Sequence, residues 1–198
     1  MNRHRSSRII GALAVALAAI WVTACGSAQP SAGPLQALSA GGQPILAIAS
    51  VVVVPRQAAD TEAYVSSSAR DLVRVTGVSA VAVPGVPAGR LVRAGVQSSG
   101  ASVATARGWP AVPTRPLIGA ELRGSQFGIV FGISGPRAGR DYAVAGLRIR
   151  YVYQGQSYSM VAWGALVGCV TATLRSDSPS CRPFASKVNG VVEKMAGI

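Results

Sequence analysis

The chain has 198 residues and a formal net charge of +12, and its 17 arginines far outnumber its 2 lysines. Its one histidine, His4, lies beside the N-terminus, so the rest of the chain cannot form a serine–histidine–aspartate triad or most zinc and copper sites. The sequence also has no glycine-rich phosphate loop and no calcium-binding loop. These exclusions favour a non-catalytic protein without a metal ion or another cofactor.

The N-terminus has the pattern of an export signal. Arg3, Arg5 and Arg8 give a basic start, and the 14 residues of Ile9–Val22 carry no charge. This run is shorter than the about 20 residues of a membrane-spanning helix. Small residues follow it, as they do before the cleavage site of a secretory signal peptide. We therefore expect residues 1–24 to be a signal peptide.

The end of this segment is more specific. Val22-Thr23-Ala24-Cys25 resembles the lipobox of bacterial prolipoproteins, in which an aliphatic residue and two small residues precede an invariant cysteine. The resemblance covers residues 1–25 only. It implies cleavage after Ala24, diacylglycerol on the Cys25 sulfur and, in many bacteria, a further acyl chain on the new amino group. Two chains suffice for stable anchoring, which would hold the protein on the extracytoplasmic face of the cell membrane. The alternative is an ordinary signal peptide with a chance cysteine.

A tether and one domain follow. Residues 25–43 carry no charge and are rich in Gly, Ser, Ala, Pro and Gln, the composition of a flexible linker. Residues 44–198 are long enough for a single domain with a proper core.

Two cysteines remain besides Cys25. Cys169 and Cys181 would lie in an oxidising compartment after export, where two thiols usually pair. We expect them to form a disulfide. Eleven residues separate them, which is unlike the Cys-x-x-Cys spacing of redox proteins.

The first half of the domain contains several predicted elements. The apolar run Pro44–Val54 ends in four valines, which indicates a buried strand. The stretch Asp60–Val75 reads as a helix, because Asp60 or Thr61 would cap it and Gly77 follows its end. Short strands are predicted at residues 78–83 and 90–96.

A proline-rich stretch interrupts this pattern. Residues 107–116 have proline at every third position from Pro110 onward, so they are predicted to form a surface loop. Trp109, which lies among arginines in this loop, is a candidate contact residue. Two strands are then expected at residues 117–123 and 126–133, joined at Gly124-Ser125.

The clearest predicted element is a long hairpin. Tyr142–Tyr153 and Gln156–Val170 are two strands joined by a tight turn at Gln154-Gly155. The first strand alternates, so Leu147, Ile149 and Tyr151 are expected in the core while Arg148 and Arg150 face water. A closing helix is predicted at residues 183–195, because its apolar residues fall on one stripe.

These elements predict a β-rich fold, all-β or α+β. We expect a single antiparallel sandwich or sheet with one or two helices packed on it.

The sequence leaves three hypotheses for function. The first is a non-catalytic envelope binding or accessory lipoprotein, whose basic surface, including Trp109, Arg148 and Arg150, contacts anionic envelope polymers or an envelope protein. The alternative is that the scattered arginines are only solvated surface residues and have no binding role. The second is a carrier of an apolar or lipid ligand. The third is a hydrolase that uses Glu121 and Asp141, which needs two facing carboxylates. Nucleic acid is not an expected partner of an exported, anchored protein.

Overall fold

Two five-stranded sheets face each other in the computed structural model, which describes residues 33–40, 43–44, 46–97, 114–136, 139–171 and 181–198. Within these residues the chain forms twelve strands and one helix. They are β1 (Leu35–Ala37), β2 (Ser39–Ala40), β3 (Gln43–Pro44), β4 (Ala47–Val53), β5 (Ala58–Ser67), β6 (Val73–Ala82), β7 (Arg90–Gln97), β8 (Thr114–Pro116), β9 (Glu121–Leu122), β10 (Gln126–Ser134), β11 (Tyr142–Tyr153), β12 (Gln156–Val170) and α1 (Cys181–Ala196).

The strand order defines two five-stranded sheets and one two-stranded sheet, β2-β3. The first sheet has the order β1-β5-β10-β7-β8 and the second sheet has the order β4-β12-β11-β6-β9. In these two sheets the paired strands are antiparallel, except that β4 runs parallel to β12. Apolar side chains of both sheets, among them Phe131 and Ile149, fill the space between them. The predicted β-rich sandwich is confirmed.

The predicted hairpin has the predicted bounds. β11 and β12 are joined by Gln154 and Gly155, whose φ angles are 49° and 75°. Positive φ at both central residues is the geometry of a type I′ turn, whose twist matches that of the flanking strands. Leu147, Ile149 and Tyr151 are buried between the sheets, as expected from the alternation of β11.

The alternation of β11 changes phase at one point. Tyr142 and Val144 face the core between the sheets before it, and Leu147 does so after it. The pairing of β11 with both of its neighbours is irregular between Val144 and Gly146. Gly146 is needed there because a Cβ would overlap the carbonyl oxygen of Ala162. The irregularity therefore lets one strand contribute even-numbered side chains to the core at one end and odd-numbered ones at the other.

The predicted C-terminal helix is present as α1 and forms a third layer. Its buried residues Val188 and Val192 pack with Ala145 and Val167 on the outer face of the second sheet. The helix contacts β12 and β4. It covers only part of that face, so the remainder, toward the hairpin turn, is open to solvent.

The predicted helix at Asp60–Val75 is wrong. These residues form β5 and the start of β6 instead. Alternate residues of β5 lie in the core between the sheets, including Ala59, Ala63 and Val65. β5 also pairs with β10 over nine residues. This long-range pairing and the burial of one face outweigh the capping pattern that suggested a helix.

Other predicted strands differ mainly in length. The strands expected at residues 44–54, 90–96 and 126–133 are present as β4, β7 and β10. The short strand expected at residues 78–83 belongs to the longer β6. Of the strand expected at residues 117–123, only β9 is formed.

The N-terminal part of the fold begins inside the expected tether. β1 pairs with the end of β5, and Leu35 is 3% exposed. The Leu35 amide donates a hydrogen bond to the Tyr151 hydroxyl at 3.3 Å. The chain from Gly33 to Leu38 is therefore held against the sandwich, which shortens any free tether.

Candidate binding surface

The open part of the second sheet's outer face carries Arg148 and Arg150. Both side chains are exposed, as the sequence predicted. Arg148 lies opposite Ser79 and Val161, and Arg150 lies opposite Gly77 and Ser159. Because directly opposite residues share a face of a sheet, the two guanidinium groups stand among small and hydroxyl-bearing side chains. We call this surface, formed by Arg148, Arg150, Ser79 and Ser159, the arginine face.

Gly77 allows the Arg150 side chain to lie across the sheet. A Cβ at Gly77 would be 3.1 Å from both Nε and Nη2 of Arg150. Within the described residues, neither Arg148 nor Arg150 forms an ion pair or a side-chain hydrogen bond. Arg148 and Arg150 are spaced about 7 Å apart along β11. Their guanidinium groups, which have no acidic partner among the described residues, can bind anionic groups such as phosphate or carboxylate.

Two other predicted site residues cannot be placed. Trp109 and the lipidation candidate Cys25 lie outside the described residues.

The predicted disulfide is confirmed. Cys169 at the end of β12 and Cys181 at the start of α1 are bonded, with their Cα atoms 5.5 Å apart. Both cysteines belong to the cluster beneath the helix, with Val188 and Val192. The bond therefore fixes the start of α1 to the sheet that it covers.

The two carboxylates of the hydrolase hypothesis are not brought together. Glu121 pairs with Arg74 in the second sheet, at the level of Val152 near the hairpin turn. Asp141 precedes β11 at its other end, where its Oδ1 accepts a hydrogen bond from the Val170 amide at 2.8 Å. The rise of β11 puts roughly 30 to 35 Å between these positions. Glycoside hydrolysis needs carboxyl groups within about 10 Å of each other.

A buried polar row was missed by the sequence analysis. Asp60, a candidate cap of the predicted helix, and Glu62 are 0% and 7% exposed on β5. They share the outer face of the first sheet with Tyr64, whose hydroxyl donates a hydrogen bond to Glu62 Oε1. The spacing of two residues could have revealed that they share one face, but only if the stretch had been recognised as a strand.

Gln97 lies on the same outer face. It is 9% exposed, and no described residue offers a hydrogen-bond partner to its Oε1 or its Nε2. The side chain extends over Gly128 of β10, where a Cβ would be 2.6 Å from Oε1. A buried carboxamide without partners weakens the fold, because it has lost its hydrogen bonds to water.

A shallow cleft of about 300 Å³ opens at the edge of the first sheet. It lies between β7 and β8, and its side chains include Arg93, Thr114, Arg115 and Pro116. The cleft is thus open at the surface and has two arginines in its lining, unlike the enclosed apolar cavity that a lipid carrier requires. The carrier hypothesis stays a prediction.

Two tyrosines between the sheets have altered acidity. Burial raises the pKa of the Tyr142 phenol to about 12. Burial also raises the pKa of Tyr151, although the hydrogen bond from the Leu35 amide acts in the opposite direction. The Tyr151 ring stacks on Tyr158, with ring centroids 5.5 Å apart.

Searches for metal-binding clusters, for membrane-spanning helices and for similar proteins bear on the choice of site. In the part of the chain that the structure describes, no cluster of three or more His, Cys, Asp or Glu residues could hold a metal ion. Within the same ranges, no helix has both the length and the apolar character needed to cross a bilayer. Comparisons with protein-family models, with curated proteins and with solved structures found no match to this chain. The arginine face is therefore interpreted from its own geometry.

Proposed function

We propose that the protein is an exported, lipid-anchored, non-catalytic binding or accessory protein of the bacterial cell envelope. In this proposal Cys25 carries the anchor, the sandwich stands on the extracytoplasmic face of the membrane, and the arginine face contacts anionic envelope material. The proposed location at the membrane is supported by the lipobox-like sequence that ends at Cys25.

The observation that carries the binding role is the exposed arginine pair. Arg148 and Arg150 lie on the part of the second sheet that α1 leaves open, and no described residue neutralises them. Anionic groups of an envelope polymer, a headgroup or an acidic protein surface would supply the missing charge. Ser79 and Ser159, beside them on the neighbouring strands, add hydroxyl donors.

Two further observations support the proposal. The Cys169–Cys181 disulfide fits an oxidising compartment outside the cytoplasm. The absence of histidine beyond His4 and the separation of Glu121 from Asp141 support a non-catalytic role.

The lipid anchor is tested by Cys25→Ala. We expect this variant to lose acyl labelling and to leave the membrane fraction, because the thioether at Cys25 is the attachment point in the lipobox resemblance. Fractionation of expressing cells after metabolic labelling with a fatty acid measures both. A variant that keeps its label and stays in the detergent phase would refute the anchor.

The binding role is tested by the double variant Arg148→Gln/Arg150→Gln. We expect weaker, salt-sensitive association with isolated anionic envelope material and an unchanged melting temperature, because exposed substitutions usually cost less than about 0.5 kcal/mol. The matched control is Arg90→Gln/Arg140→Gln, which removes two exposed arginines from the other end of the sandwich. Equal loss in both variants would mean that net charge, and not the arginine face, causes the association.

A further inference from the structure

The position at which the N-terminal segment reaches the sandwich limits how far the domain can stand from a membrane. A Cβ at Gly33 would be 2.7 to 2.8 Å from the Tyr158 ring, and Leu35 is buried and hydrogen-bonded to Tyr151. Only the seven residues Gly26–Ala32 separate Cys25 from this contact. A segment of this length spans at most about 25 to 29 Å.

The arginine face lies at this same end of the sandwich. Tyr151, which holds Leu35, directly follows Arg150 on β11. The strand rise places Arg150 about 3 Å and Arg148 about 10 Å from the level of Tyr151. The other end of β11, at Tyr142, is about 30 Å from that level. The N-terminal segment therefore joins the sandwich at the end that carries Arg148 and Arg150, and not at the opposite end.

Neighbouring loops add basic and apolar groups at this end. The turn between β5 and β6 contains Arg70 and Leu72, and Leu72 is 44% exposed. Arg74 is the second residue of β6, and Arg123 follows β9. The acidic residues described at this end are Asp71, which accepts a hydrogen bond from Gln154, and Glu121. Arginines beside an exposed leucine are the composition of a surface that rests in the headgroup region of a bilayer.

We propose that the arginine end of the sandwich docks on anionic lipid headgroups of the leaflet that holds the Cys25 anchor. This inference rests on the proposed lipid anchor and names the partner of the arginine face. The surface potential of an anionic leaflet decays within a Debye length of about 8 Å at physiological salt. The tether is long enough to let Arg148 and Arg150 reach this layer. When they are docked there, Arg90 and Arg140, near the opposite end of β11 about 30 Å away, lie beyond it.

Arginine modification measures this contact directly. The lipidated full-length mature protein is reconstituted into vesicles of phosphatidylcholine, with or without phosphatidylglycerol, and treated with phenylglyoxal. Mass spectrometry then gives the modification rate of each arginine. We expect Arg148 and Arg150 to be protected several-fold only when phosphatidylglycerol is present, and the protection to disappear at high salt. Arg90 and Arg140 serve as the internal control and should react equally in both vesicles.

The double variant Arg148→Gln/Arg150→Gln gives a second measurement. In this variant the modification rates of Arg70 and Arg123, at the same end of the sandwich, are measured. We expect anionic vesicles to protect them less than in the wild type, since each arginine near an anionic surface raises the docked population about fivefold. The variant Arg90→Gln/Arg140→Gln should keep that protection. Unchanged reactivity of Arg148 and Arg150 in anionic vesicles, or equal protection of Arg90 and Arg140, would overturn the docking inference.

The outcomes separate this inference from the proposed function. Suppose that Arg148 and Arg150 of the wild type react equally in vesicles with and without phosphatidylglycerol, while the double variant binds less envelope material in the pull-down. The arginine face would then bind an envelope polymer or protein, and the assignment to lipid headgroups would be wrong. If Cys25→Ala stays acylated and membrane-bound, the anchor itself is wrong.

Discussion

Gly164 of β12 lies against the backbone of Glu62 of β5, so the two sheets touch at this point without an intervening side chain. A Cβ at Gly164 would overlap the Glu62 carbonyl oxygen and would lie 3.0 Å from the Ala63 Cβ. The close approach occurs where β12 crosses the strand that carries the buried carboxylates.

Gly164→Ala should therefore destabilise the protein. The added methyl group must push two backbones apart, which typically costs about 1 to 3 kcal/mol. Urea denaturation gives the free energy of unfolding. The matched control is Gly190→Ala in α1, where nothing lies within 4 Å of the new Cβ, and where alanine should stabilise the helix by about 0.5 to 1 kcal/mol. Similar effects of the two substitutions would contradict this account of the contact.

Removal of the Cys169–Cys181 bond should weaken the fold. The bond closes a short loop with a sequence separation of 12, and a loop of this size contributes about 3 kcal/mol in the chain-entropy model. The variant Cys169→Ala/Cys181→Ala should thus unfold at lower urea. Reduction of the wild-type protein is the control and should give a shift of comparable size. A variant as stable as the oxidised protein would show that α1 is held by packing alone.

Stability should fall in alkaline solution because of Tyr142. Its pKa in the folded protein is about 12, whereas that of an unfolded tyrosine is about 10. Below pH 10 both states keep the proton and the full stability is present. Between pH 10 and 12 only the unfolded chain releases it, so stability falls by up to about 1.4 kcal/mol per pH unit.

Comparison with Tyr142→Phe isolates this effect. The phenylalanine variant keeps the ring and loses only a 3.4 Å hydrogen bond to the Ile133 carbonyl oxygen. We expect the stability advantage of the wild type over the variant to shrink by about 1 kcal/mol between pH 9 and pH 11. Urea unfolding at both pH values measures it, and a constant difference would rule out the alkaline titration of Tyr142.

Gln97→Met should stabilise the protein. Methionine has a similar length and shape, and it removes a buried carboxamide that has no hydrogen-bond partner in the described part of the chain. The expected gain is about 1 kcal/mol, seen as a higher melting temperature. Gln126→Met on β10 is the control, because Gln126 is exposed and its substitution should change stability by less than about 0.5 kcal/mol. A lower melting temperature for Gln97→Met would show that the carboxamide is stabilising in solution.

The local parts of this fold could be predicted from the sequence. Near its turn the β11–β12 hairpin has alternating apolar and polar residues and a Gln-Gly turn, and both are properties of neighbouring residues. The exposure of Arg148 and Arg150 followed from the same alternation. The disulfide followed from the number of cysteines and the expected compartment.

The parts that depend on distant partners could not be predicted. β5 carries Asp60 and Glu62 at positions that resemble a helix cap, and its strand geometry is set by β10, more than 60 residues later in the chain. Leu35 sits in a linker-like composition, and its burial depends on Tyr151, which is 116 residues away. The sequence likewise could not predict that Arg148 and Arg150 lie at the end of the sandwich where the N-terminal segment attaches, because this depends on the same contacts.

The packing of the N-terminal segment on the sandwich, where Gly33 and Leu35 contact Tyr151 and Tyr158, also determines how the molecule responds to force. In an anchored molecule, tension from the bilayer reaches the domain first at β1, which pairs with β5 through three residues only. Peeling β1 away would leave the disulfide-linked layer of β12 and α1 intact and would release added chain length before the rest of the sandwich carried the load. β1 would then detach at a lower force than the rest of the sandwich unfolds. Single-molecule pulling through residue 25 should show a small early extension ahead of the main unfolding event.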